Sequence, residues 1–152
     1  MRSLAHTFHS LVILSATATM ALSTWHGVRV GPYRKKAEVP YPYAYASQEQ
    51  LAAASGDKKQ ALYLFNCAQR AHVNFLENHP SMLVAHLIAG LRYPLATTAI
   101  GTLWAVFRIM YAIGYTKKDA QEGRGRLVGG GFWLCQLALY GLAATVGVKM
   151  LQ

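Results

Sequence analysis

Three polar residues of complementary chemistry recur along one predicted helix. Arg70, Asn74 and Glu77 are separated by four and three positions, and at 3.6 residues per turn this spacing places them on one face. A cation, an amide and a carboxylate in one row can bind a zwitterionic ligand. The same spacing also permits an internal Arg70–Glu77 ion pair that only neutralises charge. The three residues alone leave both interpretations open.

A second polar face follows on the next predicted helix. Arg108, Tyr111 and Tyr115 recur at spacings of three and four, so they also share one face. An arginine and two tyrosines lying at a membrane interface would be the simpler explanation. Ionisable groups inside an apolar segment are costly, however, and therefore indicate a functional site. We expect the two faces to line one pocket, at an interface between subunits.

The segments that must position these residues are long and apolar. The chain is 53% hydrophobic and only 14% charged, yet its formal net charge is +9. Few charges with a basic excess indicate a membrane protein with charged loops rather than a nucleic-acid binder. Four hydrophobic segments, at about 5–28, 61–91, 94–116 and 127–149, are long enough to cross a bilayer. We therefore predict an all-α integral membrane four-helix bundle that forms a single domain over residues 1–152.

The distribution of basic residues predicts the orientation of this bundle. The loops 30–60 and 117–126 are expected to be irregular, because Gly31, Pro32, Pro40 and Pro42 interrupt the first of them. Ten basic residues accompany these two loops, against three at the termini and second loop, so the positive-inside rule places both loops in the cytosol. The ten are Arg29, Arg34, Lys35, Lys36, Lys58, Lys59, Lys117, Lys118, Arg124 and Arg126, and the three are Arg2, Arg92 and Lys149.

A cleaved signal peptide over residues 1–22 is the alternative interpretation of the first segment. Small residues at 16–21 fit a cleavage site. The apolar run continues through Trp25 and His26, which is longer than a signal core requires. Trp25 also lies where an interfacial anchor of a membrane helix is expected. We therefore favour a first membrane span that is retained.

The sequence FNCAQRAHVNFLE, residues 65–77, resembles the second-helix signature of the MAPEG superfamily of membrane-associated proteins in eicosanoid and glutathione metabolism. Its form is most similar to the microsomal glutathione S-transferase 3 subgroup. Further similarity lies in RKKAEVPYP at 34–42 and in the spacing of Arg108, Tyr111 and Tyr115. The resemblance covers residues 30–126 together with the four-span layout.

The resemblance implies a homotrimer that binds glutathione at its subunit interfaces, near the cytosolic face. By position, the residues expected to bind glutathione are Arg34, Arg70, Asn74, Glu77, Arg108, Tyr111 and Tyr115. Arg124 and Arg126 are the candidates for stabilising the glutathione thiolate, with Arg124 favoured. Asn78 stands where some relatives have a tyrosine, so the contact made in leukotriene-C4-synthase-type members is in doubt.

The implied activity is conjugation of glutathione to lipophilic electrophiles, with reduction of lipid hydroperoxides as a second reaction. Glutathione is the co-substrate and no metal is needed. The endoplasmic reticulum is the expected membrane, with the outer mitochondrial membrane as the alternative. A non-catalytic scaffold or regulator of the same fold and a leukotriene-C4-synthase-type conjugase are the alternative functions. A transporter or channel is less favoured, because the polar residues cluster at one membrane side and no internal repeat is evident.

Overall fold

The computed structural model describes residues 4–118 and 121–152, and within those ranges it contains helices and turns but no strand. In chain order the helices are α1 (Leu4–Ala37), α2 (Gln48–Ala53), α3 (Gly56–Gly90), α4 (Pro94–Tyr115) and α5 (Phe132–Lys149). A 3-10 segment, Gln121–Gly129, leads into α5. The prediction of an all-α fold is confirmed. Arg2, counted above with the non-cytosolic side, lies outside the described residues.

The interior is organised around α3 and α4, each of which packs against all the other long helices. Phe75, Met82, Trp104, Phe132 and Leu139 are fully or almost fully buried and form the main core. A second core joins the end of α1 to the first half of α3. Close packing of such side chains holds the helices of a membrane bundle together. These contacts fix the relative positions of the helices that carry the polar residues.

Among the described residues, three helices are long and apolar enough to cross a membrane: α1 from His6 onward, α4 and α5. Large apolar side chains also cover their outer faces, where Ile13, Leu14, Val28 and Leu134 are more than half exposed. Extensive exposed apolar surface of this kind fits lipid rather than water. The chain is therefore an integral membrane protein. Helix α3, at 35 residues, is long enough to cross, but it is not one of these three apolar helices.

The prediction of an irregular loop over 30–60 is wrong at both ends. Helix α1 continues through Pro32 to Ala37, and α3 already begins at Gly56. A proline inside a helix costs about 3 kcal/mol, and buried contacts of Val30 and Ala37 with the second core offset this cost. The prolines therefore predicted a loop that is too long. The main turn lies between Ala37 and the start of α2.

The fourth predicted helix, 127–149, begins later than expected. The α-helix starts at Phe132, and residues up to Gly129 belong to the 3-10 segment. Glycine is a poor helix former, and three consecutive glycines precede Phe132. A Cβ on Gly129 would lie 2.2 Å from the backbone nitrogen of Tyr111, so this segment lies directly against the α4 backbone. The loop predicted at 117–126 is correspondingly shorter and partly helical.

A hydrogen-bonded polar network crosses the core between α3, α4 and α5. Trp104 Nε1 donates to Gln136 Oε1 at 3.2 Å, and Gln136 Nε2 donates to Asn78 Oδ1 at 3.3 Å. Asn78 Nδ2 in turn donates to the carbonyl of Asn74 at 2.8 Å. Buried polar groups are tolerated when they are paired in this way. Asn78 is thus part of the interior network, and its side chain holds the turn of α3 that carries Asn74.

Candidate site at the end of the helical bundle

A cleft of about 340 Å³ lies where α3, α4 and the 3-10 segment meet. Two of its lining residues, Arg70 and Tyr115, were predicted from the sequence as site residues. The complete lining consists of Tyr45, Tyr63, Asn66, Cys67, Arg70, Tyr115, Glu122 and Gly123. A cavity of this size is within the range of small-molecule sites. The cleft therefore joins one residue of each polar face recognised in the sequence.

Arg70 and Glu77 form an ion pair along the exposed side of α3. Arg70 Nη1 lies 2.9 Å from Glu77 Oε1, and Nη2 lies 3.4 Å from Oε2. The side chains are 46% and 48% exposed, so the pair contributes little to stability. The predicted row is therefore present as an accessible pair of opposite charges.

Asn74 faces the bundle interior, where it meets Arg108. Arg108 is fully buried, and its Nη1 donates to Asn74 Oδ1 at 2.9 Å. Its guanidinium lies 4.2 Å from the ring centroid of Phe132 and 5.2 Å from that of Phe75. Within the described residues, Nε and Nη2 of Arg108 have no hydrogen-bond partner. The structure thus joins the two predicted polar faces at Asn74 and Arg108, but in the protein interior rather than on the cleft wall.

The two tyrosines of α4 connect this buried arginine to the cleft. The rings of Tyr111 and Tyr115 pack edge to face, with centroids 5.5 Å apart. Tyr111 lies 5.1 Å from the Arg108 guanidinium, whereas Tyr115 lies 5.3 Å from that of Arg126. Of the two, only Tyr115 lines the cleft. The tyrosine pair is therefore the contact between the interior arginine and the cleft surface.

Arg124 and Arg126 have different surroundings. Arg126 is half-buried, and its Nη1 donates to the carbonyls of Glu122 and Gly123 at 3.0 and 2.9 Å. Arg124 is 74% exposed and pairs with the Glu122 carboxylate at 2.9 Å. Arg126 is thus held against the cleft wall by backbone carbonyls, whereas Arg124 lies on the outer surface. Which of the two meets a bound sulfur stays a prediction.

Close backbone contacts hold the 3-10 segment on α4. A Cβ on Gly114 would lie 2.1 Å from the carbonyl oxygen of Gly125. Gly123 adopts a φ of 64°, and a Cβ there would lie 2.6 Å from the Tyr115 ring. Only glycine meets both conditions at position 123. The position of Arg126 is therefore determined by glycine packing on α4.

Arg34 occupies a different cleft in the single chain. Its Nη1 donates to the carbonyl of Tyr43 at 2.7 Å, and its guanidinium lies 4.4 and 4.7 Å from the rings of Tyr41 and Phe65. This second cleft, of about 390 Å³, is lined by Gly31, Arg34, Lys35, Glu38, Val39, Pro40 and Tyr41. Arg34 and Arg70 therefore line two different clefts.

A model of the MAPEG family matches residues 12–145. The matched range contains the whole Arg70 cleft and nearly all of the five helices. The chain belongs to the MAPEG family. Family membership is compatible with glutathione-related transferase chemistry and agrees with the membrane-spanning character of α1, α4 and α5. The resemblance seen in residues 65–77 is thereby confirmed at the level of the family.

This MAPEG protein uses two signature residues that sequence reasoning left without a role. Asn66 makes two hydrogen bonds to the backbone of Ala46, accepting from its amide at 2.8 Å and donating to its carbonyl at 3.0 Å. Gln69 Nε2 donates to the carbonyl of Ala44 at 2.8 Å. These bonds place Tyr45 on the cleft wall. Their position close to Arg70 in the signature could have indicated a role. Hydrogen bonds from a helix to a distant loop, however, produce no periodic pattern in the sequence from which they could be predicted.

The MAPEG site is built from cations, amides and phenols. Within residues 4–118 and 121–152, no three His, Cys, Asp or Glu side chains are grouped so that they could hold a metal ion. The accessible charges are the Arg70–Glu77 pair, the Arg124–Glu122 pair and Arg126. Such a set can bind carboxylate and ammonium groups and stabilise a developing anion.

Proposed function

We propose that this MAPEG protein is a membrane-bound glutathione S-transferase with glutathione peroxidase activity, of the microsomal glutathione S-transferase 3 type. The observation that carries the proposal is the cleft in which Arg70 and Tyr115 meet the segment holding Arg126. Glutathione has two carboxylates, one ammonium and a thiol. The cleft and its rim offer complementary groups for the ammonium, one carboxylate and the thiol.

The Arg70–Glu77 pair suits the zwitterionic end of glutathione. A bound α-carboxylate replaces Glu77 as the partner of Arg70, and the α-ammonium replaces Arg70 as the partner of Glu77. Because the pair is about half exposed, separating its members costs little, and each gains a charge-assisted hydrogen bond. The second carboxylate requires another cation, for which Arg34 is the candidate. Asn74 and Arg108 support this row from within the bundle.

An arginine next to the glutathione sulfur activates the thiol by favouring its ionised form. A free thiol of this kind has a pKa of about 8.5, so at neutral pH most of it is protonated. A guanidinium nearby favours the thiolate, and Arg124 and Arg126 are the candidates. The thiolate attacks an electrophilic carbon, a C–S bond forms and the leaving group departs with its electron pair. In the peroxidase reaction two glutathione molecules reduce a hydroperoxide to an alcohol and water, and they become glutathione disulfide.

A complete site of this kind requires more than one copy of the chain. Arg34 and Arg70 line different clefts within one copy, whereas the resemblance expects both on the same glutathione. We propose a homotrimer in which Arg34 of one copy reaches the Arg70 cleft of the next. We also propose that α3 crosses the bilayer as the remaining span, with both basic loops in the cytosol of an endoplasmic-reticulum or outer mitochondrial membrane. Apolar co-substrates then reach the site from lipid.

The second candidate function is a non-catalytic scaffold or regulator of the same fold. The observation in its favour is that Arg70 and Arg124 already have carboxylate partners within the chain. A leukotriene-C4-synthase-type conjugase is the third, and Asn78 at the position of the expected tyrosine argues against it because Asn78 is buried in the core network.

The test measures glutathione binding and thiolate formation in the purified, membrane-reconstituted protein. Isothermal titration gives the Kd, and the ultraviolet absorbance of the thiolate gives its yield. Arg70→Ala should weaken binding by about tenfold or more, as loss of a charge-assisted contact does. Arg124→Ala with Arg126→Ala should abolish thiolate formation while binding persists. Lys36→Ala, on an exposed residue at the end of α1, is the matched control.

The outcomes separate the candidates. Binding with thiolate formation supports the transferase, and binding without thiolate supports the scaffold. No detectable binding by the wild-type protein overturns the proposal. Thiolate formation unchanged in the double arginine variant would refute the activation step alone.

A further inference from the structure

A second cleft adjoins the Arg70 cleft on the side of the basic loops. Its volume is about 560 Å³, against about 340 Å³ for its neighbour. The two share Tyr63 and Glu122, which therefore form the wall between them. The lining consists of Gln48, Leu51, Gly56, Lys59, Gln60, Tyr63, Lys118 and Glu122. None of the glutathione contacts proposed above uses this cavity.

The walls of this cleft are ordered elements rather than loose loop. Helix α2 provides Gln48 and Leu51, and its start is fixed by a capping box in which the Ser47 and Gln50 side chains bond each other's backbone nitrogens at 3.1 and 2.9 Å. Such a cap contributes about 1 kcal/mol to the stability of a helix. The opposite wall is the first two turns of α3.

Two of the three charged residues that line the cleft are lysines. Lys59 and Lys118 line it, and neither forms an ion pair with any residue that the structure describes. The neighbouring Lys58, in contrast, is paired with Glu38. Gly56 begins α3 at the cleft wall, so the positive end of a 35-residue helix adds to the potential. The acidic residues at or beside the cleft are Glu122, whose carboxylate is engaged by Arg124, Asp57 in the first turn of α3 and Glu49 in the first turn of α2.

Leu51 and Tyr63 add an apolar wall, and Gln48 and Gln60 add amides. The cavity thus combines two available ammonium groups with a surface that an aromatic or short aliphatic body can cover. We propose that this cleft binds the acceptor substrate when that substrate is an amphipathic anion, a carboxylate or sulfonate attached to an aromatic or short aliphatic electrophile. Such molecules partition poorly into lipid, and the cleft gives them a route from water.

This inference rests on the proposed transferase function. The two clefts adjoin at Tyr63 and Glu122, so an acceptor that binds at this shared boundary lies next to glutathione bound in the Arg70 cleft. For an aryl chloride, the sulfur lone pair forms the C–S bond, the C–Cl bond breaks and chloride leaves with the bonding electrons. The reaction needs no oxidant or reductant. Anionic acceptors are therefore turned over more efficiently than their neutral analogues.

The test uses matched probes that differ only in charge. Dinitrobenzoate and dinitrobenzamide, which do not react, are titrated into the full-length protein in phosphatidylcholine nanodiscs without glutathione. Chlorodinitrobenzoate and chlorodinitrobenzamide are then compared as substrates with glutathione. The variant Lys59→Glu with Lys118→Glu removes the two available cations of the cleft. Lys36→Glu changes a surface charge outside both clefts and is the control.

We expect the wild-type protein and Lys36→Glu to prefer the benzoate over the benzamide by about fivefold to tenfold, the effect of one or two partly exposed charge pairs. The double variant should lose that preference and the corresponding kcat/KM for chlorodinitrobenzoate. Equal binding of the two probes by the wild-type protein, or an equal loss in Lys36→Glu, overturns the inference. A retained binding preference without turnover of either electrophile instead refutes the transferase function and leaves the cleft assignment standing.

Discussion

Arg108 makes one hydrogen bond from the interior of the bundle, and this determines how substitutions at the Asn74–Arg108 contact should behave. Removal of Asn74 Oδ1 leaves a buried guanidinium without a described hydrogen-bond partner. A hydrogen bond to a charged group contributes about 1.5–3 kcal/mol, and the unpaired cation adds its desolvation cost. We therefore expect Asn74→Leu to destabilise the protein by about 3 kcal/mol.

Arg108→Met should change the stability of the protein much less than Asn74→Leu does. Methionine removes the buried charge but keeps an unbranched chain among the surrounding aromatic rings, which contact sulfur favourably. Cation–π contacts worth about 2 kcal/mol when desolvated are lost, while a desolvation cost of several kcal/mol is removed. The net change in the free energy of unfolding should be less than about 1 kcal/mol. The double variant with Asn74→Leu should then be more stable than Asn74→Leu alone.

Unfolding free energies measured in lipid nanodiscs complete this double-mutant cycle. Arg70→Met is the control, because its ion pair with Glu77 is about half exposed and its loss should change stability by less than 1 kcal/mol. If Arg108→Met costs more than Asn74→Leu, Arg108 is a structural cation and the reasoning is refuted. If stability holds while glutathione binding falls, Arg108 serves the site.

Three further predictions concern the loops. Gly123 has a φ of 64°, and the Cβ of an alanine there would lie 2.6 Å from the Tyr115 ring. Gly123→Ala should therefore lower the free energy of unfolding by about 1–2 kcal/mol and weaken glutathione binding. Thermal melting with and without glutathione measures both effects. Asn66→Ala frees both backbone groups of Ala46 and should raise hydrogen exchange there, with about 1–2 kcal/mol lost. The hydrogen bond from Lys58 and its charge lower the pKa of Glu38. The Lys58–Glu38 pair therefore stabilises the protein above the ordinary carboxyl pKa, and this stabilisation is lost as the pH falls through the lowered pKa. Glu38→Gln should remove this fall of Tm at acid pH.

The helix positions and the row on α3 could be predicted from the sequence because both depend on local periodicity. Arg70 and Glu77 pair as their spacing allows. Asn74, in the same row, turns to Arg108 on another helix, and no spacing rule within one helix reports such a contact. Arg108 itself is enclosed by aromatic rings from α3, α4 and α5, so its burial depends on tertiary packing.

The boundaries of the elements were harder to predict for the same reason. Pro32 and Gly31 indicate a break in α1, but packing of Val30 and Ala37 on α3 keeps the helix intact. Glycines 129–131 lie in an apolar run and look helical by hydropathy, yet the α-helix begins only after them, where Gly129 and Gly131 lie close against α4. Local propensities are small compared with the burial energies that compete with them.

The glycine contacts between α4 and the 3-10 segment have a mechanical consequence. Because Gly114 and Gly125 are in backbone contact and Gly123 lies on Tyr115, α4 and the segment carrying Arg126 must tilt together. The tilt of a membrane helix adjusts to the thickness of the surrounding hydrocarbon layer. We therefore expect the distance between Arg126 and the α3 ion pair to change with lipid chain length, so that membranes of different thickness alter the width of the same cleft.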